Sequence, residues 1–560
     1  MDSITEVYEM KKSEKIDQPN SRRRFLKGSL MAGVAGVVAS STSAAVSAVA
    51  QSEPAKEKTC TPKHSWEIVP DPIPASKITQ SIEADIVVVG AGVAGVFAAH
   101  AAAENGAKAI VLEKFKTFSC RAKDNGAVNT KLHSKEDGTW IDEERLLEDL
   151  FNYYQNRTHQ SLMREFVYKS GKIMNHYIDL CEANGVSVTL LPGYEVSRNS
   201  PGYATAHNFF LKDQAHSSGS EYVPTQVYLM RVVEKHAKEL GAEFRYNTAA
   251  EQLIRDKKSG RVTGVVARTK TGYIQFNARK AVIMATGGYT ENKEMLEAWG
   301  PSGLLMEVPC YTPVGGNMGE GIAMSLWAGA SLQRPPFPVQ THTIPAPVLG
   351  NDLMVANQTL LHINKLGLRY ENENQPDPLQ SNGRVLQPGK KAWSIFDSRY
   401  YKDQAPIKTS QGGPVNEPQS SLDESVAKGL AFKADTIEEL AQKIGVPAST
   451  LKKTVDRYTE LAKKGKDEDF GKPARLMFPI TDAPFYALPI KSQLLVTLGS
   501  LNCDPNMQVL DTNDEPIPGF YAIGNMMGNY FGEYPMFAPG FSSGRCIVMS
   551  HILAERLAKA

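Results

Sequence analysis

A glycine-rich turn between two short apolar runs constrains this chain more than any other feature. Asp85-Ile86-Val87-Val88-Val89 reads as a buried parallel strand, and Gly90-Ala91-Gly92-Val93-Ala94-Gly95 follows it directly. Helix-forming residues run on to Asn105, Gly106 stands at the C-terminal cap position, and Ala109-Ile110-Val111-Leu112 makes a second apolar strand ending on Glu113. This order predicts a βαβ unit with a dinucleotide fingerprint. Gly90 permits the tight turn, Gly92 lets the backbone approach a pyrophosphate, and Gly95 lets helix and strand pack closely. The helix N-terminus turns unpaired N–H groups and a positive dipole end toward the phosphates. Glu113, 21 residues beyond Gly92, is placed to accept from ribose hydroxyls. The fingerprint alone does not separate FAD from NAD.

A chain of 560 residues is too long for one ordinary core, so two or three domains are expected. Apolar residues make up 42% and charged residues 22%, the mixture of an ordinary globular protein. A net charge of +1 gives no bulk field for nucleic acid or acidic lipid, and no nucleic-acid partner is expected. The six cysteines (Cys60, Cys120, Cys181, Cys310, Cys503 and Cys546) form no CxxC pair, no haem-attachment CxxCH and no iron–sulfur run, so they read as single thiols and no metal is expected.

The first fifty residues read as an address. Ser21-Arg22-Arg23-Arg24-Phe25-Leu26-Lys27 resembles the twin-arginine export signal. A weakly apolar stretch over 28–50 follows, and Ala48-Val49-Ala50 offers small residues for cleavage before Gln51. Ser and Thr interrupt the stretch too often for a membrane span, so no integral span is expected in the mature chain. The resemblance implies export after folding, with cofactor already loaded, to the periplasmic or extracytoplasmic face of the cell envelope. Residues 51–80, rich in Pro, Lys and Ser, read as a linker.

Later segments sharpen the cofactor assignment. Residues 242–284 read as a β-meander whose last strand, Ala281-Val282-Ile283-Met284, runs into Ala285-Thr286-Gly287-Gly288. Near the C-terminus Gly519-Phe520-Tyr521-Ala522-Ile523-Gly524-Asn525 reads as a strand ending in a small-residue turn, and Ser542-Ser543-Gly544 opens a final helix. In this order the segments resemble the flavoprotein family of fumarate reductases, succinate dehydrogenases and 3-ketosteroid dehydrogenases, over essentially all of residues 82–560. The resemblance implies an α/β fold: a doubly wound, Rossmann-like FAD domain with an inserted α+β capping domain. The FAD domain would comprise 81–335 and 486–560, and the cap 336–485. No histidine stands at the family's covalent attachment position, so the FAD is expected to be noncovalent.

Carried over by position, Gly90, Gly92, Ala94 and Gly95 would hold the pyrophosphate and Glu113 the adenosine ribose. Ala250 would present backbone to the adenine, with Thr286, Gly287 and Gly288 lining that side. Glu320 replaces the Asp of the family's GDG segment. At the Gly524-Asn525 turn, Asn525 replaces the acid common in fumarate reductases. Ser542 and Ser543 would face the flavin pyrimidine, where a helix N-terminus stabilises the anionic reduced flavin. The loop after the ribose acid is unusual, Cys120-Arg121-Ala122-Lys123-Asp124-Asn125-Gly126-Ala127. Asn125, Gly126 and Ala127 still allow close backbone approach, while Arg121 and Lys123 fit either a place near the phosphates or solvent.

On the substrate side, Gln340-Thr341-His342 matches the family's substrate-histidine segment. The later two-histidine segment reads Leu495-Val496-Thr497-Leu498-Gly499, without histidine, and Gln375-Pro376-Asp377-Pro378 stands where the proton-donating arginine segment belongs. The C-terminal substrate arginine is also missing from its place. A dicarboxylate would lack its clamps. Glu533-Tyr534-Pro535 instead resembles the Tyr-Pro segment of ketosteroid dehydrogenases, which makes Tyr534, with His342, a candidate catalytic residue. Met526, Met527, Tyr530, Phe531, Met536 and Phe537 fit either an apolar pocket or core. In the cap, 436–444 and 448–463 read as helices, with Thr436 and Glu439 as a capping box. These residues imply an FAD-dependent oxidoreductase acting on CH–CH bonds. The favoured reading is reduction of an activated C=C bond in a small enone- or enoate-like acceptor other than fumarate. Its electrons would come from a separate donor: a cytochrome, flavoprotein or quinol-linked protein of the envelope. Residue types leave open a ketosteroid-dehydrogenase-like desaturation and a flavin-carrying electron-transfer protein without substrate.

Overall fold

A computed structural model describes residues 63–191, 193, 202–211, 225–309, 313–345, 360–375, 377–404, 419–533 and 537–560. The segment read as an export signal, the first part of the linker reading, and Tyr534, Pro535 and Met536 lie outside the described residues.

The apolar runs of the fingerprint become the centre of an eight-stranded sheet. The first strand, Ile78–Val89, pairs in parallel with Ala109–Leu112 on one side and Gly272–Met284 on the other, with Val87 opposite both Ile110 and Val282. Pro516–Ala522 extends the parallel set beyond Gly272–Met284, and Gln508–Leu510 closes that edge antiparallel. Ile86, Val87, Val88 and all of Ala109–Leu112 are buried, as strands covered on both faces require. The helix Val93–Glu104 buries ten of its twelve residues. Its alanines let it sit close between the helices Gln226–Glu239 and Phe541–Lys559.

Two expectations change. Glu243–Arg245 is not part of the meander; it pairs in parallel with Ala109–Leu112 at the sheet edge. The helix Gln226–Glu239 precedes it, and a crossover of that length delivers a parallel strand. The meander is Ala249–Arg255, Val262–Thr269 and Gly272–Met284. The stretch read as a linker is docked from Lys63 onward. Trp66 is buried and its carbonyl accepts from Trp327 Nε1 at 2.7 Å, while the Ile73 N–H donates to Gln252 Oε1 at 2.8 Å. One aromatic anchor outweighs the polar composition around it.

A second, six-stranded sheet is built around Phe485–Thr497. Ala392–Asp397, Phe432–Ala434 and Val339–Pro345 pair with it antiparallel, Val308–Pro309 pairs in parallel, and Leu361–Asn364 pairs with Ala392–Asp397. It has its own apolar core, in which Leu361, Ile395, Leu440 and Leu451 meet. The helices Ile437–Ile444 and Ala448–Lys464 cover it. Thr436 Oγ1 accepts from the Glu439 N–H at 3.1 Å, but Glu439 reaches back to the N–H of Asp435 rather than of Thr436, so only half of a capping box forms. A buried ionic knot ties this region: Arg369 makes paired contacts of 2.8–2.9 Å to Glu373 and 2.9–3.0 Å to Asp467, and Lys472 Nζ lies 3.3 Å from Glu373. Among the described residues no helix is long and apolar enough to cross a membrane.

Candidate active site

The glycine turn joins the end of Ile78–Val89 to the start of the helix Val93–Glu104. Gly90 has φ +102°, and a Cβ there would lie 2.6 Å from the Ala285 carbonyl oxygen. A Cβ on Gly95 would overlap the Gly90 carbonyl oxygen. Gly92 differs: a Cβ there would meet no protein atom nearer than 4.0 Å. The protein therefore does not need glycine at 92 for its own packing. Gly92 also caps the helix Val93–Glu104 without any side-chain hydrogen bond, leaving the first N–H groups of that helix uncapped by side chains. Open space beside an uncapped helix N-terminus fits a bound pyrophosphate.

Glu113 is buried at the end of the second strand. Its Oε2 accepts from the Ala91 N–H at 2.8 Å and its Oε1 from Phe115 N–H at 2.9 Å, so the acid braces the glycine turn. Its carbonyl accepts from Thr248 N–H at 2.8 Å, which brings Ala250 to the same edge. Glu320 opens the helix Glu320–Trp327 and takes the ammonium of Lys114 at 2.5 Å.

The distant C-terminal segments close on this turn. A Cβ on Gly524 would lie 2.9 Å from the Ala94 Cβ. Thr286 Oγ1 lies 2.8 Å from the Met526 sulfur, and a Cβ on Gly287 would lie 3.1 Å from Asn317 Oδ1. Gly288 packs against Thr497, whose Oγ1 accepts from the Tyr289 N–H at 2.9 Å. The Gly499 N–H donates to the Asn525 carbonyl at 2.8 Å. On the other side, Gly126 N–H donates to the Gly540 carbonyl at 2.8 Å, immediately before the helix Phe541–Lys559. Asn125 is fully buried; its Oδ1 accepts from Gln226 Nε2 at 2.6 Å and from Ser543 Oγ at 3.0 Å. Ala127 is buried beside them. Ser542 lies one residue from Ser543, in the first turn of the same helix.

Sequence reasoning missed Arg545. It is fully buried, donates from Nη2 to Asn525 Oδ1 at 3.1 Å, and stacks on Tyr530 and Phe531. Its Nε and Nη1 have no hydrogen-bond partner among the described residues. The arginine follows a Ser-Ser-Gly helix start, a position at which composition gives no sign of burial. Asn525 is thus an anchor for a buried cation. Met526, Met527, Tyr530, Phe531 and Phe537 are buried and packed in the main core, so of the two readings for that cluster core holds for these five.

Asp124 was also missed as a chemical group. The Asn208 amide, with its NH2 turned toward the acceptors, donates to Asp124 Oδ1 at 2.9 Å. Burial pushes the Asp124 carboxyl up to about 6, opposed by the charges of Lys123 and His342. His342 is partly buried on Val339–Pro345, opposite Gln493, three residues along from Val339, which faces Thr497. Arg121 is partly buried, and its Nη1 donates to the Leu495 carbonyl at 2.9 Å. The loop 121–124 and the strand pair 339–345 and 485–497 therefore place Asp124 and His342 within electrostatic reach of each other, beside the Asn125–Gly126 backbone. The signal for Asp124 was its position next to Asn125-Gly126, a step from a predicted cofactor contact.

The family described as FAD binding domain matches residues 85–538. A vinyl phenol reductase of Lactiplantibacillus plantarum is 28% identical over 82% of this chain and 94% of its own length. A probable fumarate reductase of Shewanella frigidimarina is 28% identical over 89% of this chain and 79% of its own. Among solved structures, the 3-ketosteroid-Δ4-(5α)-dehydrogenase of Rhodococcus jostii, in complex with 4-androstene-3,17-dione, superposes with a TM-score of 0.68 at 24% identity, covering 87% of this chain and 99% of that one.

Proposed function

The chain belongs to the FAD-binding domain family, and from that premise we propose that it reduces the electron-poor C=C bond of a small organic acceptor other than fumarate. It is an FAD-dependent oxidoreductase, and relatives named above reduce C=C bonds. FAD, when bound, supplies hydride chemistry. The chain's residues do the rest. Gly92 and the N–H groups after it would bind the pyrophosphate, Glu113 holds the turn that presents them and would accept from the ribose, and Ser542 and Ser543 would face the ring end. The cofactor is held without a covalent bond.

One observation carries the substrate reading. The place of the family's paired histidines is occupied by Leu495-Val496-Thr497-Leu498-Gly499, with Val496, Thr497 and Leu498 buried against the core. No carboxylate clamp can form there. Asp124, whose carboxyl burial pushes up to about 6, is suited to give the proton that accompanies hydride addition, and His342 orients the acceptor or resupplies that proton. Tyr534 polarises the acceptor carbonyl. The capping region, about residues 336–485, excludes water from this space. Electrons arrive from a separate redox protein or quinol-linked donor, since the sequence holds no haem or cluster motif, and the twin-arginine-like leader delivers the loaded protein to the envelope.

The test is turnover of the purified protein with reduced viologen against fumarate, enoates, enones and phenylpropenoids. Dye oxidation with an enone, enoate or phenylpropenoid but not with fumarate supports the proposal. Turnover with fumarate as the best acceptor, or with none, contradicts it.

A further inference from the structure

Four of the chain's eleven histidines gather on helices of the nucleotide-binding unit, at positions the reading above does not use. His100 lies on Val93–Glu104, His176 on Gln160–Ala183, His236 on Gln226–Glu239 and His551 on Phe541–Lys559. Ring centres are 5.8 Å apart for His100 and His176, 5.1 Å for His100 and His236, and 6.0 Å for His176 and His551. Glu104, one helical turn after His100, lies 3.1 Å from His176 Nε2. A packed helix interface gains nothing from four imidazoles that aliphatic residues would not supply, so the cluster calls for a chemical reason.

We propose that His100, Glu104 and His176 form a site for a divalent transition metal of the zinc class. One donor atom from each lies within 4.8 Å of the other two. Tetrahedral zinc with bonds near 2.1 Å needs donors about 3.4 Å apart. The Glu104–His176 pair already meets that spacing. His100 is fully buried, and its Nδ1 has no hydrogen-bond partner among the described residues, an unusual cost for a buried polar nitrogen. Its Nε2 lies 2.8 Å from His236 Nδ1. If that contact carries the ring proton on Nε2, the lone pair falls on Nδ1, where a metal takes it; an outer partner of this kind fixes the tautomer of metal-bound histidines. Glu104 and His176 are partly exposed, which gives an ion a way in and leaves the fourth position to water. Two imidazoles and one carboxylate suit zinc, copper or nickel better than magnesium or calcium, which take all-oxygen sites. The ion would pin the glycine-turn helix to Gln160–Ala183.

The test uses FAD-loaded protein stripped with a chelator and titrated with Zn2+ alone. One equivalent should bind, and Glu104→Gln and His176→Gln should each weaken binding at least tenfold without changing flavin absorbance. Co2+ in place of Zn2+ should give a visible absorption band that either substitution removes. Failure of the unsubstituted protein to bind one equivalent of Zn2+ overturns the proposal. So does binding that both substitutions leave unchanged.

Discussion

Gly92→Ala separates the cofactor's demand for glycine from the protein's own. In most glycines of the site the two are entangled, because a side chain would strike neighbouring backbone. At Gly92 a Cβ has 4.0 Å of clearance, and φ −73° with ψ −175° is backbone that alanine adopts freely. Lower chain entropy in the unfolded state favours alanine by about 0.4–1 kcal/mol, and loss of glycine at the helix cap costs a similar few tenths to one. The apoprotein should therefore keep its stability to within ~0.5 kcal/mol. The pyrophosphate, by contrast, would meet a new methyl group. Overpacking of that kind costs about 1–3 kcal/mol, which is about 5- to 150-fold in the FAD dissociation constant. The assay is fluorescence titration of the deflavinated protein with FAD, beside thermal unfolding of the same preparation. Unchanged FAD affinity in Gly92→Ala would show that no phosphate lies there and would refute the reasoning. Gly95→Ala is the contrast: its Cβ overlaps the Gly90 carbonyl oxygen, so the apoprotein itself should be destabilised.

Other perturbations test other parts. The Asp124 carboxyl binds its proton more tightly in the folded chain, about 6 against 3.8, so the stability it contributes is complete below 3.8 and is lost as pH rises through about 6. That gap is worth about 3 kcal/mol, and Asp124→Asn should remove the corresponding slope from denaturation midpoints measured between those pH values. The same substitution should lower kcat by about 10²-fold or more while leaving flavin absorbance intact; an unchanged kcat assigns the proton to another group. Glu373→Gln removes the carboxylate shared by Arg369 and Lys472, leaving Asp467 to pair Arg369, and should cost about 3–5 kcal/mol by chemical denaturation. Thr436→Ala removes one cap hydrogen bond and should cost about 1 kcal/mol, with no change in FAD affinity.

The fold was legible where local pattern and tertiary role coincide. The strand at 85–89, the helix to residue 104 and the strand Ala109–Leu112 stand where the apolar runs and glycines put them. Legibility failed where a residue's role depends on a distant partner. Glu243–Arg245 looks like a meander strand until the preceding helix fixes its direction. Trp66 turns a linker-like stretch into a docked one by finding Trp327 and Trp299. Arg545 and Asp124 carry no local mark of their partners: Arg545 is buried against Asn525, Tyr530 and Phe531 from the turn before its own helix, and Asp124 meets Asn208 and His342 from other segments. The site's glycines were readable from motif order, yet only the geometry distinguishes Gly92, which leaves space, from Gly95, which fills it.

The central claim is that the turn 90–95 and the turn at Gly524–Met526 enclose one flavin dinucleotide. Quantifying the flavin released when natively purified protein is denatured tests it most directly. One FAD per chain, freed without proteolysis, is the predicted result. A colourless protein, or one that yields only a mononucleotide, would contradict it.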